Sequence, residues 1–209
     1  EAKRVREYFV SNAMREDPTR LLDLIRRAAD APGVVVSIEK PSRFAKDVSS
    51  DMRTELKNLL ESGIPSSVVI EVPVTRNKVT TRSRIVACFG RAPTGKKPID
   101  MFYREGMALP QVTARSQADV DLIVQANEGE LATYLNFCEG KAHLDLLENR
   151  EVKDKLSEKG FHGIQLKRFV RGLMDDIRSV ALPDATQPDS TVMRGFFSIN
   201  RKHLGQNLP

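Results

Sequence analysis

With 209 residues, 40% of them apolar and 29% charged, the chain is long enough for one medium domain or two small ones and has the composition of an ordered protein. Cys88 and Cys138 are the only cysteines, which excludes a disulfide framework and a CxxC metal site. No apolar run approaches the roughly 20 residues of a membrane helix and no secretory pattern is present, so a reduced, cytoplasmic setting is expected.

The first residues, EAKRVREYFV, lack an initiator methionine and read as the continuation of a longer chain. Residues 1–15 and 18–31 have helical periodicity, with Asp17 as N-cap and Pro18 at the first helical position of the second. VVVSI, 34–38, is a β-branched run and a predicted strand. A loop over 40–46 leads to an amphipathic helix, 47–62, stopped by Gly63. Strands are predicted at 66–74 and 81–89, joined as a hairpin through TRNKVT, then at 99–105 and 119–126. In the second strand Ile85, Ala87 and Phe89 alternate only weakly with Arg84, Val86 and Cys88, which predicts partial cover on both faces. Helices follow at 128–140, 141–160 and 164–183, then a proline-containing linker and a last strand at 191–199. The fold class is α+β: a mostly antiparallel sheet with helices on one face, followed by a helical subdomain. The expected divisions are an α/β domain over 1–127, a helical part over 128–183, and a linker with the start of a further β element over 184–209.

Charge is unevenly spread. The stretch 75–98 holds Arg76, Lys78, Arg82, Arg84, Arg91, Lys96 and Lys97 and no acid, so it carries +7 and leaves −2 on the rest of the chain. Such a field attracts phosphate, whether of a nucleotide or of a nucleic acid. It also fits an acidic protein face, or a solvated hairpin whose cations guard an edge. Phe89 is the only aromatic residue within it, so a base-stacking platform is weakly supported.

Catalytic patterns are missing from the sequence. It has no GxxxxGK[ST], GxGxxG after a strand, HExxH or GxSxG. His143, His162 and His203 show no ligand spacing. Glu139 and His143 stand four apart, a spacing that suits either a metal pair lacking a third ligand or a hydrogen-bonded pair at a helix junction. Asp175 and Asp176 are adjacent and point about 100° apart on a helix, so they form no dyad.

Two segments resemble a known family. FYREGMALP, 102–110, resembles an RxGM strand motif. YLNFCEGKAHLDLL, 134–147, resembles an L-R-x-x-E-x-x-x-H-x-x-W motif, with Asn136 where a basic residue is common and no counterpart of the tryptophan. In this order they resemble bacterial ATP-binding proteins of the Hsp90-like, or GHKL, superfamily, in the region after the ATPase head. The resemblance implies a transducer-like, S5-like α/β domain and a helical part that couple nucleotide state to conformation or partner binding and are inactive alone. The partners it implies are the chain's own N-terminal ATPase domain and a possible homodimer. ATP and magnesium belong to that head, and no cofactor is expected in this chain. A basic residue of the transducer reaches the terminal phosphate in related proteins, which makes Arg76, Lys78, Arg82 and Arg84 the first candidates here. Arg104, Glu105, Glu139 and His143 are the motif residues. A charged pair at a strand end needs partners where it is buried, and the 134–147 segment is expected to supply one. The alternatives are a stand-alone nucleic-acid-binding module using 76–97 and a small enzyme of another kind.

Overall fold

A computed structural model of the chain describes residues 18–31, 33–115, 118–140 and 142–182. The predicted helix at 1–15 and the linker and strand at 184–199 lie outside the described residues. The fold is α+β. In chain order the elements are α1 (Pro18–Asp30), β1 (Gly33–Ser37), α2 (Phe44–Asp47), α3 (Ser50–Glu61), β2 (Ser66–Arg76), β3 (Val79–Arg91), β4 (Asp100–Arg104), β5 (Met107–Ala108), β6 (Val120–Ala126), α4 (Gly129–Cys138), α5 (Arg150–Glu158) and α6 (Gln165–Ala181).

The six strands form one mixed sheet in the order β1-β2-β3-β6-β4-β5. β2–β3, β3–β6 and β4–β5 are antiparallel, while β1–β2 and β4–β6 are parallel. The parallel pairs arise because α2–α3 return the chain from β1 to β2, and a long crossover separates β4 from β6.

One face of the sheet carries the main core. Val68, Ile70, Ile85, Phe89, Leu122 and Val124 point to it, and helices α3, α4 and α6 cover it. Residues of α4–α6 such as Leu131, Leu156 and Leu173 belong to the same buried cluster as the strands, so the division expected at 127–128 crosses a shared core. The expectation of helices on one face holds for these but not for α1. That helix lies on the opposite face, where Leu21, Leu24 and Ala28 bury Cys88, Met101 and Ile123. This explains why β3 alternates so weakly: Cys88, on its second face, is covered as well.

Local chemistry sets the helix starts. Ser49 caps α3 by accepting from the Met52 N–H at 3.3 Å, and Asn149 caps α5 by accepting from Val152 N–H at 2.9 Å. The start of α4 is capped from a distance. The Ser83 hydroxyl of β3 accepts the Leu131 N–H at 3.1 Å, and Gly129 (φ +76°) admits this approach because a Cβ there would lie 2.8 Å from Ser83 Oγ. The helix predicted over 141–160 is shortened to α5. Residues 142–149 instead form a turned loop, closed by Leu147 N–H to Cys138 O at 2.6 Å and His143 N–H to Gly140 O at 2.9 Å.

Candidate functional site

The two motif segments meet in space. β4 ends at Arg104, and Glu105–Gly106 turn the chain into β5 with φ of +47° and +78°, the two-residue hairpin geometry that favours a glycine at its second position. Arg104 faces the core side. Its Nε and Nη2 both donate to the Glu139 carboxylate, the latter at 3.1 Å, and its Nη1 donates to Glu105. Only 6% of the Arg104 side chain and 1% of the Glu139 side chain are exposed. The hydrogen bonds that Glu139 accepts hold the guanidinium above its ordinary value, although burial opposes them. Glu139 ends α4 and accepts a further bond from His143 Nδ1 at 2.7 Å. The four-residue spacing of Glu139 and His143 is therefore not a helical one. The chain leaves the helix at Glu139, and His143, at φ +50°, folds back from the loop.

This cluster is a buried clamp between a strand end and a helix end. The expectation that residues 134–147 partner the charged pair is met through Arg104, while Glu105 stays half exposed and bonds to Arg104 itself.

The basic stretch behaves differently from its sequence. Along β2–β3 three of its arginines take acids from elsewhere. Arg76 donates to Glu130 at 3.2 Å and to the Lys159 carbonyl at 3.0 Å, and lies 5.2 Å over the Phe161 ring. Arg82 reaches Glu39 at 3.4 Å and the Ile38 carbonyl at 3.3 Å. Arg84 stands 3.8 Å from Glu71. Lys78, Arg91, Lys96 and Lys97 are exposed and make no side-chain hydrogen bond or ion pair among the described residues. They form no single patch. Lys78 sits in the turn just before β3 and Arg91 is the last residue of that strand, about 40 Å away for a strand of this length. The acid-free segment in sequence is thus compensated in space at Arg76, Arg82 and Arg84, and its free cations stand at the hairpin tip and over 91–97.

The hairpin tip is firmly mounted. Asn77 and Lys78 make the two-residue turn with φ +50° and +66°. The Asn77 N–H donates to Gly160 O at 2.8 Å, and the Asn77 side chain lies so close to Gly160 that a Cβ there would come within 1.8 Å of it. Arg76 fixes the strand just before, so Lys78 projects from a pinned turn.

Several further ion pairs lie outside the sequence expectations. Arg20 donates to Asp121 (Nε at 2.7 Å), Arg43 to Asp176 (2.9 Å), Arg178 to Asp100 (2.5 Å), and Lys167 and Arg168 to Glu148 (3.0 and 2.7 Å). One cue was present. Asp121 sits in the apolar run VDLIVQA and Asp176 on the apolar side of α6, and a carboxylate in such a place requires a cation. Burial pushes Asp100 above the ordinary carboxylate range, with Arg178 opposing it.

A cleft of about 340 Å³ opens beside the hairpin, lined by Lys40, Thr75, Thr80, His162 and Gln165 among others. Tyr134 closes its floor by donating to Gly163 O at 3.1 Å. Among the described residues no three His, Cys, Asp or Glu gather to hold a metal ion, so no step through magnesium is assigned to them. No helix among them is long and apolar enough to cross a membrane. Comparison with models of known families, with curated proteins and with solved structures gave no match.

Proposed function

We propose that this chain is the transducer-like and helical part of a GHKL-type ATP-binding protein, and that Lys78 is the cation it offers to the terminal phosphate of a nucleotide held by an adjoining head. The observation that carries this is the state of the hairpin. Of the four hairpin cations, Arg76, Arg82 and Arg84 are engaged with acids of this chain, and Lys78 alone is free on a pinned turn. A lysine there offsets developing phosphate charge without first breaking another bond. The left-handed backbone at Lys78 is strained for a residue with a Cβ, as functional positions often are.

The mount also supplies a route for coupling. Arg76 binds Glu130 in the first turn of α4, and Arg104 binds Glu139 at the other end, about 15 Å along the same helix. Displacement of the tip is passed to α4 and so to the β4–β5 turn.

The test is made in the longer natural chain that carries the head. There Lys78→Gln should lower ATP turnover at least about tenfold while leaving the melting temperature unchanged, with partial recovery in Lys78→Arg. Turnover equal to wild type in Lys78→Gln removes Lys78 from the reading. An upstream sequence without a magnesium-binding Glu-x-x-x-Asn helix removes the reading altogether. The isolated 209-residue chain should show no micromolar Mg-ATP site by calorimetry.

A second reading, a nucleic-acid-binding module, rests on free Arg91, Lys96 and Lys97. It requires affinity to fall with salt at a log–log slope of about −0.9 per phosphate neutralised on duplex DNA. Absence of binding to duplex or single strands at low salt ends it.

A further inference from the structure

The cleft beside the hairpin is built from parts of the chain that are far apart in sequence. β2 and β3 supply Thr75 and Thr80, the β1–α2 loop supplies Lys40, and the start of α6 with the turn before it supplies Gln165 and His162. Both ends of the described chain lie at the far end of the sheet. Arg20, in the first turn of α1, bonds Asp121 at 2.7 Å, and Asp121 pairs with Gly90, about 33 Å along β3 from Thr80. Arg178, in the last turn of α6, donates to the Val120 carbonyl at 3.1 Å, so α6 carries the chain about 25 Å away from Gln165.

Floor and rim differ in chemistry. The floor is apolar, with Val74, Tyr134, Phe161 and Leu166 all buried. Tyr134 offers it only a ring, because its hydroxyl is bonded to Gly163 O. The rim donates. Lys40 and His162 are exposed and make no side-chain hydrogen bond or ion pair among the described residues. The Thr75 and Thr80 hydroxyl oxygens stand 2.8 Å apart, and whichever donates to the other, one hydroxyl hydrogen is left over. The one carboxylate among the described lining residues, Glu39, is 3.4 Å from Arg82 and 87% exposed. The cleft therefore has a cationic, donor-rich rim above an apolar floor.

We propose that this cleft binds a small monocarboxylate with a single apolar ring as its body. The carboxylate lies at Lys40 and the Thr75–Thr80 hydroxyls, and the ring rests on Phe161 and Leu166. A volume of about 340 Å³ is at the low end of the range of about 300–1,000 Å³ for small-molecule sites, which suits a one-ring ligand. One ammonium balances one negative charge. The neighbouring arginines are not available to fork a phosphate dianion, since Arg76 is held by Glu130 and Arg82 by Glu39. The inference does not depend on the role given to Lys78, which does not line the cleft.

Titration of the isotope-labelled 209-residue chain with phenylacetate, followed by NMR of the backbone amides and the His162 ring, tests the proposal. Saturable shifts are expected at residues 39–41, 73–80 and 161–166, with a dissociation constant of about 1 mM or tighter. Phenylacetamide has the shape without the charge, and acetate has the charge without the ring. Each should bind at least about tenfold more weakly. Lys40→Met should weaken phenylacetate about tenfold at an unchanged melting temperature. Lys46→Met, at an exposed lysine outside the cleft, should leave binding intact. If Lys40→Met disturbs the fold, Thr80→Val, at an exposed strand position, should weaken binding in its place. Shifts that are absent, or that scatter over the surface without saturating, overturn the proposal. Phenylacetamide binding as tightly as phenylacetate overturns the anion site, and phenyl phosphate binding more tightly than either overturns the assignment to a carboxylate.

Discussion

Glu139 is almost wholly withdrawn from water, and its charge is held by the fork of Arg104 and by His143. A carboxylate so placed is costly to leave alone. Arg104→Ala should therefore destabilise the protein by about 3–5 kcal/mol, measured by urea unfolding, through the loss of the cation forked on it. Adding Glu139→Gln should recover part of that loss, because the stranded charge is then gone. If the single variant costs no more than an exposed pair, under about 1 kcal/mol, the clamp is ornamental. A second carboxylate gives a pH test. Glu148 is held down to about 2, first by the hydrogen bond from Arg168 and then by that from Lys167. Its folded-state value lies below the ordinary one, so the stability it contributes is present above the ordinary carboxylate range and is lost as pH falls from there towards about 2. Glu148→Gln should flatten stability over that acid window and leave the neutral-to-alkaline limb unchanged.

The hairpin shows how local sequence and tertiary demand part company. Two-residue turns of this geometry favour Asn-Gly, and this one reads Asn-Lys. Lys78→Gly should therefore raise stability by about 1 kcal/mol in thermal or urea unfolding, since glycine adopts the left-handed region without a Cβ clash. On the reading proposed above, the same change in a head-bearing chain should lower ATP turnover, and a variant that is more stable and equally active would separate the strain from function. Most elements were legible. β1, β2, β3, β4, β6, α1, α3, α4 and α6 fall within a few residues of their predicted spans, because apolar periodicity and the stop at Gly63 are local signals. The start of the predicted helix at 141 was not. Leu144, Leu146 and Leu147 read as a continuing helix, but the Glu139–Arg104 clamp and the Asp145–Arg171 pair hold that stretch as a loop. α2, four residues long, and β5, two long, carry too little pattern to be read. Of the site, the grouping of Arg104 with the 134–147 segment was legible only through the motif resemblance. That Arg76, Arg82 and Arg84 are neutralised by Glu130, Glu39 and Glu71 was not, since no single sequence states which distant acid folds onto which base.

At the scale of the molecule, the ion pairs and the core describe one folding unit. Arg20–Asp121, Arg43–Asp176, Arg178–Asp100 and Arg104–Glu139 each join segments far apart in the chain. Three of the four tie α4 or α6 to segments before residue 128. The apolar residues agree: Leu131, Tyr134, Leu135, Phe169, Val170, Leu173 and Ile177 sit in the same cluster as the inner face of the sheet. A chain cut after Asn127 would uncover that face and strand Arg104, one of whose partners is the C-cap of α4, together with Arg43, whose partner is on α6. Each large apolar side chain left facing water forfeits about 1.5–3 kcal/mol, against a total stability of about 5–15 kcal/mol for a domain. The piece spanning 1–127 should therefore lack a cooperative thermal transition by circular dichroism and should bind a dye that reports exposed apolar surface. The piece spanning 128–182 should be largely unfolded alone, since its helices are short and their apolar sides would face water. Mixing the two should restore a cooperative transition if the shared core governs folding. A 1–127 piece that melts cooperatively by itself would show that the sheet with α1–α3 is a self-sufficient domain and that the helices are an addition to it.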